Sequence, residues 1–151
     1  MIRILIVDDE LPIANLLRMN LTRQGYVCTC AYSGPEAADL LEKNAYDLVL
    51  LDIMLPGFDG YDLLAYIRPM NIPVIFLTAK SDLNDRVKGL KLGAEDYIVK
   101  PFEMVEVIAR IEVVLRRYHK SQGVLHLLDI DVDLDAREVL QNGVRVDLTR
   151  K

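Results

Sequence analysis

Residues 47–57 run Asp-Leu-Val-Leu-Leu-Asp-Ile-Met-Leu-Pro-Gly, and the architecture follows from how this segment is built. Leu48–Leu51 is a short apolar run with no alternation, the pattern of a strand in a parallel sheet covered on both faces. Asp52 ends that strand, where an acid adds nothing to packing. Gly57 then falls where the chain must turn. The segment thus reads as a buried strand that delivers one carboxylate to its carboxyl end.

Working outward, the same strand-then-helix alternation recurs on either side. Upstream, Ile2–Val7 precedes Leu11–Arg23, where Ile13, Leu16, Leu17 and Leu21 recur at helical spacing, and Tyr26–Ala31 precedes Pro35–Lys43. Downstream, Tyr61–Arg68 completes the unit opened at Asp47. Pro73–Leu77 is followed by Leu83–Leu92, and Asp96–Val99 by Val105–Tyr118. Gly25, Gly34, Gly57, Gly60 and Gly93 lie between these elements. Five such units predict an α/β fold: a flavodoxin-like, doubly wound, five-stranded parallel sheet with strand order 2-1-3-4-5. After Arg116-Arg117 the character changes. Residues 1–119 read as one domain, 120–124 as a linker and 125–151 as a short antiparallel β tail. In that tail Asn142-Gly143 sits between Glu138–Gln141 and Val144–Leu148, a hairpin signal.

Composition sets the outer limits. A chain of 151 residues that is 52% hydrophobic can bury one ordinary core and carry a small appendage. Eighteen basic against 23 acidic residues give a formal charge of -5, which does not suit a nucleic-acid grip without a segregated basic patch, and none is visible. The apolar start Ile2–Val7 meets Asp8-Asp9-Glu10 before an export signal is complete, and the run from Leu48 is broken by Asp52. The expectation is a cytoplasmic protein that does not enter a membrane. Cys28 and Cys30 share one face of a strand but are too stretched for an easy disulfide, so they read as buried small side chains.

In a sheet of this kind functional groups gather at the carboxyl ends of the strands. Those ends carry Asp8 and Asp9, Asp52, Thr78 and Lys100. Each has an ordinary explanation: a helix cap for Asp9, a turn hydroxyl for Thr78, a solvated charge for Lys100. Together they make a different case. Three carboxylates in one place repel one another unless a cation is present, and an oxygen-rich, open site suits Mg²⁺. One cation beside an accessible carboxylate is what aspartyl phosphorylation requires. Lys100 would then pair with a phosphoryl oxygen and Thr78 would donate a hydrogen bond to another.

At this point the chain resembles the receiver domains of two-component response regulators, which are CheY-like folds. The matching elements are Ile4–Glu10, Leu51–Gly57, Leu77-Thr78-Ala79, Gly93–Tyr97 and Lys100-Pro101-Phe102. The resemblance implies Asp52 as phospho-acceptor, with Asp8, Asp9, Asp52 and the Met54 backbone carbonyl around Mg²⁺. It implies Thr78 and Tyr97 as the switch and a cis Lys100–Pro101 peptide. It also implies a phospho-acceptor rather than an enzyme in the ordinary sense. Tyr97 has a plainer reading as a half-buried aromatic on the edge strand.

The tail is similar to the opening β-platform of the winged-helix domain that marks the OmpR/PhoB subfamily. The chain stops where that domain's first helix would begin, so DNA is expected to be read only by the missing remainder. Neither His119 nor His126 lies near an ATP-binding signature, and the phosphoryl group is expected from a sensor histidine kinase or a small acyl phosphate. The resemblance further implies a homodimer through the fourth helix, fifth strand and fifth helix, with Arg86 meeting Glu106 and Asp96 meeting Arg110 across the two-fold axis. Lys91 and Glu112 stand where close relatives often carry the opposite charges, which predicts a reversed pair. An apolar patch of Leu90, Ile108 and Ala109 is expected between them. Three alternatives remain: a receiver used only for dimerisation, without phosphorylation; a phosphatase with an aspartyl nucleophile, which commonly needs an acid where Met54 stands; and a flavin or nucleotide carrier, whose phosphate Asp8-Asp9-Glu10 would repel.

Overall fold

The computed structural model describes residues 1–55, 57–79 and 83–122. Five parallel strands, β1 (Arg3–Val7), β2 (Val27–Ala31), β3 (Leu48–Asp52), β4 (Val74–Thr78) and β5 (Asp96–Val99), form one sheet in the order β2-β1-β3-β4-β5. Helices α1 (Leu11–Arg23), α2 (Gly34–Lys43), α3 (Gly60–Ile67), α4 (Leu83–Leu92) and α5 (Met104–Gln122) follow the five strands in turn. This is the predicted flavodoxin-like order. Residues Met1–Leu115 make up one compact unit, and α5 continues beyond it.

The central strand shows why its sequence lacks alternation. Successive side chains of a strand point to opposite faces. Val49 and Leu51 join Leu5, Val7 and Phe76 in one core layer, which also takes in residues of α2 and α3. Leu48 and Leu50 join Ile4, Ile6 and Leu77 in the other, which takes in residues of α1 and α5. Both faces are dry, so both must be apolar.

Two helices carry local signals that set where they start. At α2 the Ser33 hydroxyl accepts from the Glu36 amide at 3.2 Å, while the Glu36 carboxylate accepts from the Tyr32 amide at 2.8 Å. At α3 the Asp59 carboxylate accepts from the Tyr61 amide at 2.9 Å. Each satisfies amides that the first helical turn leaves unpaired.

Three features differ from the sequence expectations. Leu16, counted in the apolar stripe of α1, is 45% exposed, and Ala14, Leu17 and Leu21 form the buried face instead. Between β3 and α3 the chain adds a small hairpin, Met54–Leu55 paired antiparallel with Phe58–Asp59. Helix α5 runs past Tyr118 to Gln122. Cys28 and Cys30 are free, as read, but only partly buried against the α1–α5 core layer, because β2 is an edge strand of the sheet. The expected β tail lies outside the described residues. Among those described, no helix is long and apolar enough to cross a membrane.

Candidate functional site

Parallel register brings the strand ends to one edge of the sheet. Val7 lies beside Leu51, Asp52 beside Leu77 and Thr78 beside Val99. The residues that follow each strand therefore meet, and Asp8, Asp52, Thr78 and Lys100 do so in space.

Asp8 is fully buried; its amide bonds the Ala31 carbonyl at 3.1 Å, and its Oδ1 accepts from the Glu10 amide at 2.9 Å. Asp52, 5% exposed, has Oδ1 held by the Met54 amide at 3.0 Å and Oδ2 held by Lys100 Nζ at 3.1 Å. Lys100 Nζ also lies 2.9 Å from Asp8 Oδ2 and 3.2 Å from Glu10 Oε1. Its backbone is fixed in turn, since its amide donates to the Thr78 carbonyl at 2.6 Å and the Lys100–Pro101 peptide is cis, as expected. Thr78 is buried. Asp9 is exposed, yet one oxygen each of Asp8, Asp9 and Asp52 lie within 4.8 Å of one another.

The electrostatics follow from this crowding. Burial, partly offset by the Met54 amide and the Lys100 charge and reinforced by Asp8, pushes the Asp52 carboxyl up to about 6. Lys100 is raised above its ordinary value, because hydrogen bonding and charge from Asp8 and Asp52 outweigh the burial that opposes its ammonium form. Three acids, Asp8, Glu10 and Asp52, thus share one ammonium, with Asp9 beside them. The buried Asp8 Oδ2 has that ion contact but no hydrogen bond of good geometry. A donor set made only of carboxylate oxygens, one of them short of partners and one opening to solvent, fits a hard divalent cation that keeps several waters.

Glu10 had been given no role, although its place beside Asp8-Asp9 hinted at one. Tyr97 is 6% exposed rather than half-buried, and its ring lies 5.7 Å from that of Phe76, which in turn packs against Tyr61 at 5.4 Å.

On the face formed by α4, β5 and α5, Arg110 is already engaged within the chain. Its Nη1 lies 3.0 and 2.9 Å from the two Asp96 carboxylate oxygens, and its Nε is 3.0 Å from Glu106. Val87, Leu90, Tyr97 and Val99 line a shallow groove with these three residues. Ile108 packs against the core layer that holds α5, and Ala109 is exposed. Lys91 and Glu112 are exposed, and the Glu112 charge reaches the Tyr26 phenol. The side chains of Arg86 and His119, together with Lys80 and His126, lie outside the described residues.

The geometry can be set against known proteins. A family model described as the response regulator receiver domain matches residues 4–112. The transcriptional activator protein IrlR of Burkholderia pseudomallei is 44% identical over 151 residues, an alignment covering 99% of this chain and 66% of IrlR. The chain thus spans just under two thirds of that relative's length. Among solved structures, the receiver domain of the Francisella response regulator 1452 is 36% identical with a TM-score of 0.73, covering 79% of this chain and 100% of that one. The response regulator protein TrrA from Thermotoga maritima, in complex with Mg(2+)-BeF, is 35% identical with a TM-score of 0.68, covering 76% and 99% respectively.

Proposed function

The chain belongs to the response regulator receiver family, and from that premise we propose that Asp52 is the phosphoryl acceptor of a Mg²⁺-dependent two-component switch. One observation carries the assignment. Asp52 ends the most buried strand, held between the Met54 amide and Lys100, with Asp8 and Asp9 close enough to share a cation.

In this reading an Asp52 carboxylate oxygen attacks phosphorus; the new O–P bond forms as the donor's bond to phosphorus breaks, and the leaving group keeps that electron pair. Mg²⁺, bound by Asp8, Asp9, Asp52 and the Met54 carbonyl, supplies charge neutralisation for the phosphoryl oxygens. Lys100, charged and already at Asp52, takes one of those oxygens, and the Thr78 hydroxyl donates to another. Thr78 thereby moves toward the phosphoryl group, and the packing of Tyr97 follows, so a local charge biases a surface with two arrangements. The donor is a sensor histidine kinase or a small acyl phosphate.

The finer assignments rest on the same resemblance. By that resemblance residues 1–119 would be the receiver and 125–151 the β-platform of an OmpR/PhoB-type winged-helix domain, with α5 continuing to Gln122 into the stretch 120–124 expected as the linker. The protein acts in the cytoplasm, and phosphorylation switches dimerisation through α4, β5 and α5. Coupled to a complete winged-helix domain it would also switch DNA binding and transcription, a reading supported by the likeness to the transcriptional activator IrlR.

The test is to incubate the chain with Mg²⁺ and an acyl phosphate and follow its mass. One phosphoryl group should appear, require the metal and vanish in Asp52→Ala. Undiminished labelling of Asp52→Ala at a single site elsewhere refutes the assignment.

A further inference from the structure

The loop that follows Asp52 closes on itself. Beyond Ile53 the chain forms the Met54–Leu55 and Phe58–Asp59 hairpin, turns through Gly57 at φ +66, and arrives at Gly60, the first residue of α3. The Gly60 amide donates to the Ile53 carbonyl at 3.0 Å. A Cβ on Gly60 would stand 2.7 Å from Ile53 Cα, 2.8 Å from Ile53 O and 3.0 Å from Asp52 O. All three are backbone atoms, so none can rotate aside as a side chain would.

Neither party can easily retreat. The Ile53 amide is bonded to the Leu77 carbonyl at 3.2 Å, and Asp52 lies in register with Leu77 inside the sheet. On the other side, α3 is capped by Asp59, whose carboxylate accepts from the Tyr61 amide at 2.9 Å, and the Tyr61 ring packs edge-on against Phe76. A side chain at position 60 must therefore tilt the Asp52–Ile53 peptide. That tilt moves both ends of the 3.0 Å bond between the Met54 amide and Asp52 Oδ1. Asp8 and Asp9 follow β1, on a different strand, and do not move with it.

We propose that Gly60 is a positioning residue for phosphoryl transfer: its missing side chain lets α3 seat against the Asp52–Ile53 backbone and fixes where the Asp52 carboxylate stands relative to Asp8 and Lys100. This rests on Asp52 being the phosphoryl acceptor. Because Asp8 and Asp9 stay in place, a side chain at position 60 misaligns the nucleophile more than it weakens the metal site. Small misplacements of a reacting group from outside the chemistry can cost on the order of a hundredfold in rate.

The test compares Gly60→Ala with Gly57→Ala. Gly57, unlike Gly60, has a left-handed φ, but a Cβ there meets nothing within 4 Å, so that substitution strains the loop without intruding on Asp52. Initial phosphorylation rates by an acyl phosphate are measured over a range of Mg²⁺ concentrations and divided by the folded fraction. For Gly60→Ala the maximal rate should fall about 10- to 100-fold while half-saturating Mg²⁺ rises less than about fivefold. For Gly57→Ala both should stay within about twofold of the parent chain, since a purely structural loss is removed by the normalisation. A Gly60→Ala maximal rate within twofold of the parent, or an equal loss in Gly57→Ala, overturns the proposal. Should Gly60→Ala not fold, Asp59→Ala loosens the same seat without adding an atom, and an unchanged maximal rate there overturns it as well. A parent chain that accepts no phosphoryl group defeats the acceptor reading and this inference together, whereas a parent and a Gly60→Ala that accept it equally well defeat the positioning role alone.

Discussion

At the scale of single residues, the site is a compromise between burial and charge, and pH exposes it. Asp52 titrates near 6 in the metal-free fold against 3.8 for an ordinary aspartate, so between those values the folded state holds a proton that the unfolded state has lost. A group whose folded pKa is raised loses stability as pH rises through that interval. Without divalent metal, stability relative to Asp52→Asn should therefore fall by roughly 1–2 kcal/mol from pH 4 to pH 7, after allowing for solvent screening. Added Mg²⁺ should recover it. Urea unfolding of both proteins at each pH checks this, and a pH-independent difference contradicts it. In the proposed switch a second residue is expected to govern how long the phosphoryl group lasts. Met54 is 76% exposed two positions beyond Asp52 and offers no polar group to orient an attacking water. Met54→Asn should speed hydrolysis of phosphorylated chain about two- to tenfold; slower decay would count against the argument. The acids, Thr78 and Lys100 were legible in the sequence because strand ends must converge in a parallel sheet. The contact of Glu10 with Lys100 was not, since an exposed side chain's direction depends on tertiary placement. Gly60's close approach to backbone was equally hidden, since the sequence shows only a glycine between elements.

Elements were legible where their burial is two-sided and less so where it is partial. Strand β3 was plain because neither face sees water. Helix α1 has a narrower buried face, and the spacing of Leu16 and Leu17 did not say which of the two turns inward. Packing decides: Leu17 is buried, with Ala14 and Leu21 on the same side, while Leu16 is 45% exposed. Leu17→Ala should accordingly cost about 2–5 kcal/mol, the usual range for a truncated core leucine, and Leu16→Ala should stay within about 0.5 kcal/mol. Chemical denaturation of the two variants separates them, and equal losses would mean that the face has been wrongly assigned. The far end of α5 was missed for a different reason. Beyond Tyr118 the residues His119-Lys120-Ser121-Gln122 carry no apolar period, and in sequence a polar helix end looks like a linker.

For the whole molecule, strand order followed from five β/α units and the flavodoxin-like order common to five-stranded folds of this kind, but association between copies depends on surfaces that a single sequence describes poorly. Arg110 is already bound to Asp96 and Glu106 within its own chain, so pairing it across a two-fold axis exchanges one carboxylate for another and gains little. In the proposed dimer, apolar residues such as Leu90, 51% exposed, and Val87, 41% exposed, would supply more of the affinity. The charges then choose the partner. Lys91 is exposed and makes no ion pair among the described residues, while Glu112 is near enough to Tyr26 to raise its phenol, after burial has done so. Exposed on α5, Glu112 is free to turn toward the partner's Lys91. Two-fold symmetry makes each such pair occur twice, at about 0.2–1 kcal/mol apiece for exposed ions. With beryllofluoride and Mg²⁺ present, Lys91→Glu and Glu112→Lys should each weaken dimerisation a few-fold, and the double reversal should restore it. Each single variant should also mix more readily with a relative of the usual polarity, since one of the two repulsions that excluded it is gone. Sedimentation equilibrium of the four proteins measures this. If both singles dimerise like the parent and the double shows no coupling, the reversed pair does not form, and partner choice must lie in the apolar patch alone.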